Sequence, residues 1–526
     1  MKLFNKFKIS INSILLAIYL FFVWSAHIYL NRSSKTIGLF VFLIIALILS
    51  LIVSSKIVTA FQKVEIKCND SPKLKKSTVF FSFFALTFFL MLLLYWAFFP
   101  GSYPAIDPIW QYEQVINNSY NDWHPFWHTI VFFTFPIKLT GKLCSVVLFQ
   151  MIYFSLLMGY MGMVIYKYSN IKLALISIAY ILLNPFTHWM QIFPIKDVGF
   201  ATATCLSMIM AVEAYFSKEW ANKWWRLVLL GIVLANATLF RHNGILFTFM
   251  LIIALSFILS KKQALILIST FVIFVFIIRI PVYNVLNVEK PKERVTEKTG
   301  LPLTILGNVV KEAPEKLDEE TLNFAYSIAP KKDWEDFYVC GSFNHLKFQG
   351  FDPPRFNKNV IEEAGVAKML CLTAKCFKRA PKESIRAFLA LTDIVYSLER
   401  IDGDWDWGIM EYGRINHNIT YGGNAQLASI LKNYKTLIYS TIFRYLRIIG
   451  VALLFITIVV VSKTDFRNFD DWKRFFICLP IYTYDFGTML LLSGNDSRFF
   501  YTTFLVAPLI GVIMLREKKS DASMLN

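Results

Sequence analysis

Asp107 sits between Ile106 and Pro108 in a stretch with few competing polar groups. A carboxylate so placed can take the proton from an attacking hydroxyl. Asp followed by Pro also makes a good helix start, as N-cap and first helical residue, and the two roles are compatible. His124 and His128 follow at i, i+4, a spacing that puts both on one helix face. A metal pair lacks a third ligand in this motif, so substrate contact or a packed helix start is the better reading. Lys196-Asp197, Arg241-His242-Asn243-Gly244 and Asp496-Ser497-Arg498 come from distant parts of the chain. Their cations can hold a phosphate, Arg by its bidentate fork. The plainer account is that basic residues at helix ends snorkel to water, and that Asn243-Gly244 is a tight turn. A turn does not require Arg241 and His242 beside it, which favours function there.

The elements that must position these residues are membrane helices. Of 526 residues 56% are hydrophobic, 17% are charged and 50 are Phe, whereas about a quarter of a soluble protein is charged. Runs of about 20 apolar residues, each able to cross roughly 30 Å of hydrocarbon as a helix, recur too often to be buried core helices. They fall at about 11–30, 37–60, 78–99, 143–166, 172–190, 198–216, 226–241, 244–260, 264–284, 436–462, 474–492 and 498–515. The short apolar stretch 126–137, bracketed by Pro125 and Pro136, is read as an interfacial helix that does not cross. This gives an all-α polytopic membrane protein of about twelve spans. It divides into a first transmembrane module (1–284), an extracytoplasmic domain of mixed or mainly α structure (285–435) and a last set of spans with a tail (436–526).

The net charge of +18 is not a nucleic-acid signature. Residues 285–435 hold 21 Lys+Arg against 21 Asp+Glu, so the excess lies in short loops between apolar runs. That is the positive-inside pattern, facing anionic lipid. It sets both termini in the cytoplasm of a plasma membrane, and the Lys-, Asn- and Ile-rich usage points to a bacterium. Asp107, His124, His128, Lys196, Asp197, Arg241, His242, Asp496 and Arg498 then all lie near outer helix ends, where charges are costly and usually functional. The Trp and Tyr residues of 103–127 serve equally well as an interfacial belt or as a platform for a sugar ring. Of the seven cysteines, Cys340, Cys371 and Cys376 fall in the outer domain, where a disulfide is chemically possible.

Pro100-Gly101, Tyr103-Pro104 leading to Asp107, and Asp122-Trp123-His124-Pro125-Phe126-Trp127-His128 resemble the first outer loop of the GT-C glycosyltransferases. These are polytopic enzymes that use polyprenyl-phosphate sugars; the protein O-mannosyltransferase and aminoarabinose transferase families look similar. Asn184-Pro185 with Lys196-Asp197, and Arg241-His242-Asn243-Gly244, look like outer-edge motifs of bacterial members. The pattern covers roughly residues 78–284. The domain at 285–435 departs from the well-known members, and the first loop lacks an Asp-x-Asp metal motif. Asp402-Gly403-Asp404-Trp405-Asp406 has such spacing but reads better as a turn-rich surface segment.

The resemblance implies transfer, with inversion, from a polyprenyl-phosphate-sugar donor to a glycan, lipid or protein acceptor. Asp107 acts as base. Arg241 and Arg498, then Lys196 and His242, hold the donor phosphate and stabilise the leaving group. His124, His128, Asp197, Asn243, Trp405, Trp407 and Glu411 contact substrate. No cofactor is expected, and a divalent metal is not indicated. Two other classes stand beside it: a transporter or flippase of a lipid-linked or small polar substrate, and a polysaccharide polymerase or ligase, which shares the substrate type. A transporter or flippase suits twelve spans, although transporters place charges at the midplane within broken helices. A polysaccharide polymerase or ligase need not have the first-loop carboxylate.

Overall fold

Long runs of Leu, Ile, Phe and Val satisfy every backbone group internally only as helices when water is excluded. The computed structural model describes residues 10–31, 36–67, 74–98, 106–291, 295–349, 353, 355–399 and 423–517. Among these there is no β-strand, only three isolated bridges. Seven helices are long and apolar enough to cross a membrane: Ile11–Asn31, Phe40–Gln62, Lys76–Ala97, Cys144–Tyr168, Lys196–Phe216, Lys261–Val285 and Ser497–Leu515. An eighth is the pair Ile171–Leu182 and Pro185–Gln191, bent by 63°. Asn184 makes that bend, its side chain accepting from Phe186 N as the cap of the second half, with Pro185 following. The chain is a multi-pass membrane protein.

Three apolar helices are shorter: Trp224–Phe240, Ile245–Ser256 and Ile449–Lys463. Phe469–Met489 is long, but Asp470, Asp471, Lys473 and Arg474 occupy its start. The span expected at 436–462 begins only at Ile449. Before it, Ala425–Ser440 is a separate helix, joined by a 3-10 turn at Ile442–Arg447.

The helix ends sort into two faces. On one, the backbone of Ile66 pairs with Leu515 and Glu517, and Asn12 Nδ2 donates to the Val461 and Thr464 carbonyls. The Arg516 guanidinium there lies 4.3 Å from the Phe216 ring. On the other face sits a helical domain, residues 295–380, with its own core of Leu306, Val309, Trp334, Tyr338, Ile361 and Met369. Tyr338 Oη donates to the Thr304 carbonyl at 2.6 Å and Trp334 Nε1 to that of Ala325 at 3.1 Å, so the buried polar tips are satisfied. The next helix, Pro381–Tyr396, leaves this domain and enters the membrane bundle. Leu391, Ile394, Val395 and Tyr396 join the main core, Tyr396 meets Phe22 at 4.8 Å, and Tyr29 Oη donates to the Lys382 carbonyl. In this domain Cys371 is exposed and Cys376 buried, both as thiols.

Residues 126–140 form one short helix with a π turn at Thr129–Thr134. Both of its ends touch helix Ile106–Asn117. Gln111 Nε2 reaches His128 Nδ1 and Thr129 Oγ1 at the start, and Tyr112 Oη donates to the Gly141 carbonyl at the end. At fifteen residues the segment is shorter than the helices long and apolar enough to cross a membrane.

Close helix contact without Cβ atoms holds the bundle. A Cβ at Gly162 would lie 2.3 Å from the Phe83 ring, between helices 76–97 and 144–168. Gly162→Ala therefore costs about 1–3 kcal/mol. It should lower the melting temperature of the detergent-solubilised protein, whereas Leu86→Ala, on the exposed side of helix 76–97, should change it little.

Candidate functional site

Lys196 and Asp197 open helix 196–216 on the domain face. The positive end of the helix dipole favours Asp197 there and opposes Lys196. Lys196 is thus placed against local helix stability, at an end that attracts anions. Asp197 is 1% exposed and Arg241, which closes helix 224–240, is 8% exposed. They form an ion pair through Asp197 Oδ1 and Arg241 Nη1. Arg241 Nε donates to Asn243 Oδ1 at 2.7 Å, and Asn243 Nδ2 donates to Thr488 Oγ1 at 2.8 Å. Arg498 completes the group. Its Nε is 2.6 Å from Asp496 Oδ2 and 4.0 Å from Asp197 Oδ2. The Phe499 ring lies 4.5 Å from Arg241 Cζ and 5.1 Å from Arg498 Cζ.

The first loop brings the remaining groups. Asp122 starts helix 126–140 by accepting from Phe126 N at 3.1 Å. The same carboxylate accepts from Arg279 Nη1 at 2.8 Å and Tyr283 Oη at 2.9 Å, which ties the loop to helix 261–285. His128 packs on Phe132 at 4.9 Å and lies where a Cβ at Gly199 would be, 2.7 Å from its ring. That close approach lets helix 126–140 lie on the start of helix 196–216 and sets His124 beside Lys196. Lys196 Nζ and His124 Nδ1 are 3.1 Å apart. An ammonium can only donate, so Nδ1 accepts and Nε2 carries the ring proton. Nε2 is 3.8 Å from Asp107 Oδ1, close enough for one hydroxyl oxygen to lie about 2.8 Å from both.

Burial alone would raise the Asp107 carboxyl, but its cationic neighbours, Lys196 above all and Arg498 with it, outweigh burial and hold it below the usual carboxylate value. Burial, reinforced by Lys196, pushes His124 down to about 3, so its ring is neutral near pH 7. His242 is lowered mainly by burial. Among the described residues no carboxylate lies within ion-pair distance of Lys196. It does lie in the electrostatic range of Asp107, Arg498, Arg241 and Glu297.

The structure thus brings Asp107, His124, Lys196, Asp197, Arg241 and Arg498 into one cluster. His242 stands at its edge, its Nε2 3.2 Å from the Asp122 carbonyl. Four expectations change. His124 precedes the helix that begins at Phe126, so it does not share a helix face with His128. His128 is 1% exposed and packs among Phe132, Phe133 and Phe240, away from any open space. Arg241 is committed to Asp197, which makes it a brace rather than an available cation. Asn243 likewise supports Arg241. Trp405, Trp407 and Glu411 lie outside the described residues. The Arg279–Asp122–Tyr283 group escaped the sequence reading, although Arg279 is a lone charge inside an apolar run and such residues are functional by default. Among the described residues no three His, Cys, Asp or Glu side chains are grouped to hold a metal. No protein-family profile, curated protein or solved structure matches the chain.

Removing one partner of a buried ion pair leaves the other charge uncompensated, at a cost of about 3–5 kcal/mol. Arg241→Met should lower the melting temperature strongly, and adding Asp197→Asn should restore part of the loss. His124 binds a proton far more readily unfolded, at 6.5, than folded, at about 3. Its contribution is therefore complete above pH 6.5 and is lost as pH falls towards 3. Melting temperatures measured across that window should decline on acidification, and His124→Gln should flatten part of the decline.

Proposed function

We propose that the chain is a membrane glycosyltransferase of the GT-C kind. It moves a sugar from a polyprenyl phosphate to a hydroxyl acceptor on the domain face. In this reading the membrane is crossed twelve times, by the seven long helices, the bent pair, the three short apolar helices and helix 469–489. Lys63, Lys167, Lys463, Arg474 and Arg516 collect on the opposite face. The positive-inside rule makes that face cytoplasmic, in a bacterial plasma membrane.

The observation that carries the reading is the meeting of Asp107 and His124 with Lys196 and Arg498 at helix ends that are far apart in sequence. The acceptor oxygen attacks the anomeric carbon from the Asp107 side and its proton passes to the Asp107 carboxylate. The bond from that carbon to the phosphate oxygen breaks, and its electron pair leaves with the lipid phosphate. Lys196 and Arg498 stabilise the developing charge. Arg241 holds Asp197 and, through it, the start of helix 196–216. An apolar groove of about 470 Å³ between helices 245–256 and 261–277, lined by Phe249, Ile252, Phe257 and Phe271, supports a long-chain substrate. Both helices lead up to the cluster, one from Asn243 and the other towards Arg279.

A second reading, translocation without bond cleavage, is favoured by one observation. Asp485 is fully buried within helix 469–489, and Thr503 Oγ1 donates to its carboxylate at 2.7 Å. Transporters place carboxylates in such positions.

Incubating the purified protein with radiolabelled polyprenyl-phosphate sugars separates the two. Release of lipid phosphate supports the transferase; movement of intact label across a vesicle supports the transporter. Asp107→Asn should reduce release at least about 100-fold at an unchanged melting temperature. Lys196→Met should reduce it by roughly 100- to 1,000-fold. Normal turnover by Asp107→Asn removes the base from this scheme.

A further inference from the structure

Beside the charged cluster lies an open cleft of about 440 Å³, within the roughly 300–1,000 Å³ typical of small-molecule sites. It runs along helix 106–117 and faces the loop 119–124 and the segment 289–291. Asp107, Trp110, Gln114 and Asn117 recur on that helix at intervals of three or four residues, so they share one face. Trp110, Gln114 and Asn117 line the cleft, and Asp107 stands one turn beyond its end. Trp123, Glu113 and Glu289 line it as well.

The walls are braced before any ligand arrives. Gln114 Oε1 accepts from Asn121 N at 3.1 Å, and Asn121 Oδ1 accepts from Trp123 N at 3.1 Å. Glu289 is paired through its backbone with Tyr120 and Asp122, at 2.9 Å in both cases. His124 connects the cleft to the cluster. It lines the cleft, its ring centroid lies 6.0 Å from that of Trp110, and it is 2% exposed. Its Nε2 is buried and has no hydrogen-bond partner. A buried donor with no partner is destabilising, and a ligand hydroxyl at the end of the cleft would offset that.

Two indoles, amide side chains and two carboxylates are poor company for an anion. Among the described residues Glu113 and Glu289 outnumber Lys290, the one cation lining the cleft, whereas Lys196 and Arg498 lie on the far side of His124. Apolar ring faces flanked by groups that accept and donate to hydroxyls suit a polyhydroxyl compound. We propose that this cleft is the acceptor subsite and is built for an uncharged carbohydrate chain. Its rings stack on Trp110 and Trp123, and one terminal hydroxyl reaches Asp107 and His124. This rests on the transferase reading and adds the class of acceptor to it.

The test is binding without donor. Purified protein in detergent is titrated with neutral hexose oligomers of the maltose and cellobiose series, and with poly(glycerol phosphate) of similar length, by saturation-transfer NMR and calorimetry. The expected result is binding of at least one neutral series and none of the phosphate polymer. Trp110→Ala and Trp123→Ala should each weaken it about tenfold, while Trp110→Phe, which keeps a ring, should bind within about threefold of the wild type. Trp110 is 46% exposed, so its replacement leaves the fold intact, as an unchanged melting temperature will show. Neutral binding that ignores both tryptophans, preferential binding of the phosphate polymer, or no binding of either neutral series overturns the proposal. The lipid-phosphate release assay reports separately. Glycan binding without release rejects the transferase and leaves the cleft; release without glycan binding rejects the cleft and leaves the transferase.

Discussion

A carboxylate and a guanidinium withdrawn from water tolerate no loss of register, because each leaves the other exposed to the full cost of burial. Asp197 and Arg241 are such a pair, and they lie at the ends of two neighbouring helices. Their contact fixes the start of helix 196–216 against the end of helix 224–240 and so fixes the height of Lys196 at the membrane edge. Asn243 takes the second face of the same guanidinium and passes the constraint to Thr488 on helix 469–489. Three helices are thereby indexed to one another by a handful of directional bonds, in a region where lipid-like packing alone is indifferent to small slides.

The domain extends that constraint to Arg498. The loop before it is clamped from above: Asn344 N donates to the Ser493 carbonyl at 3.2 Å, and Asn495 Nδ2 donates to the Ala390 carbonyl at 2.7 Å. Gly300 lies so close that a Cβ would meet the Leu492 carbonyl at 2.4 Å. Helix 381–396 then descends from the domain into the bundle, where Tyr396 is buried. The domain is therefore tied to the membrane helices at both its loop contacts and its last helix, and it positions the guanidinium it covers.

The sequence was informative where cost was local. A charge at the end of an apolar run is legible because nothing nearby justifies it, and Asp107, Lys196, Arg241 and Arg498 all stood out on that ground. Their pairings were not legible. Arg241 looked available because its chain neighbours are His242 and Asn243, while its partner Asp197 lies 44 residues away. His128 looked like the twin of His124 because spacing says nothing of where a helix begins, and Asp122 begins this one at Phe126. Span bounds were less legible: the span expected at 436–462 begins only at Ile449. Helix 224–240 has 17 residues, about 25 Å at 1.5 Å per residue, because the Arg241 turn cuts it short. Helix 381–396 fell within the segment 285–435 read as the outer domain; Lys382, Glu383 and Arg386 lie in its first turns, while Leu391, Ile394, Val395 and Tyr396 join the main core.

The electrostatics of the site bear on when the carboxylate can act. Asp107 is held ionised by Lys196 and Arg498, and a carboxylate so held is a weaker base, since base strength falls with proton affinity. In the transferase reading the same Lys196 and Arg498 meet the donor phosphate. An anion beside them offsets the charges that keep Asp107 acidic and excludes water that would screen the exchange. Proton affinity at Asp107 then rises only when a lipid phosphate is in place. In that reading a site with no donor holds a weaker base than a loaded one, and the cations that meet the leaving group also set the strength of the base.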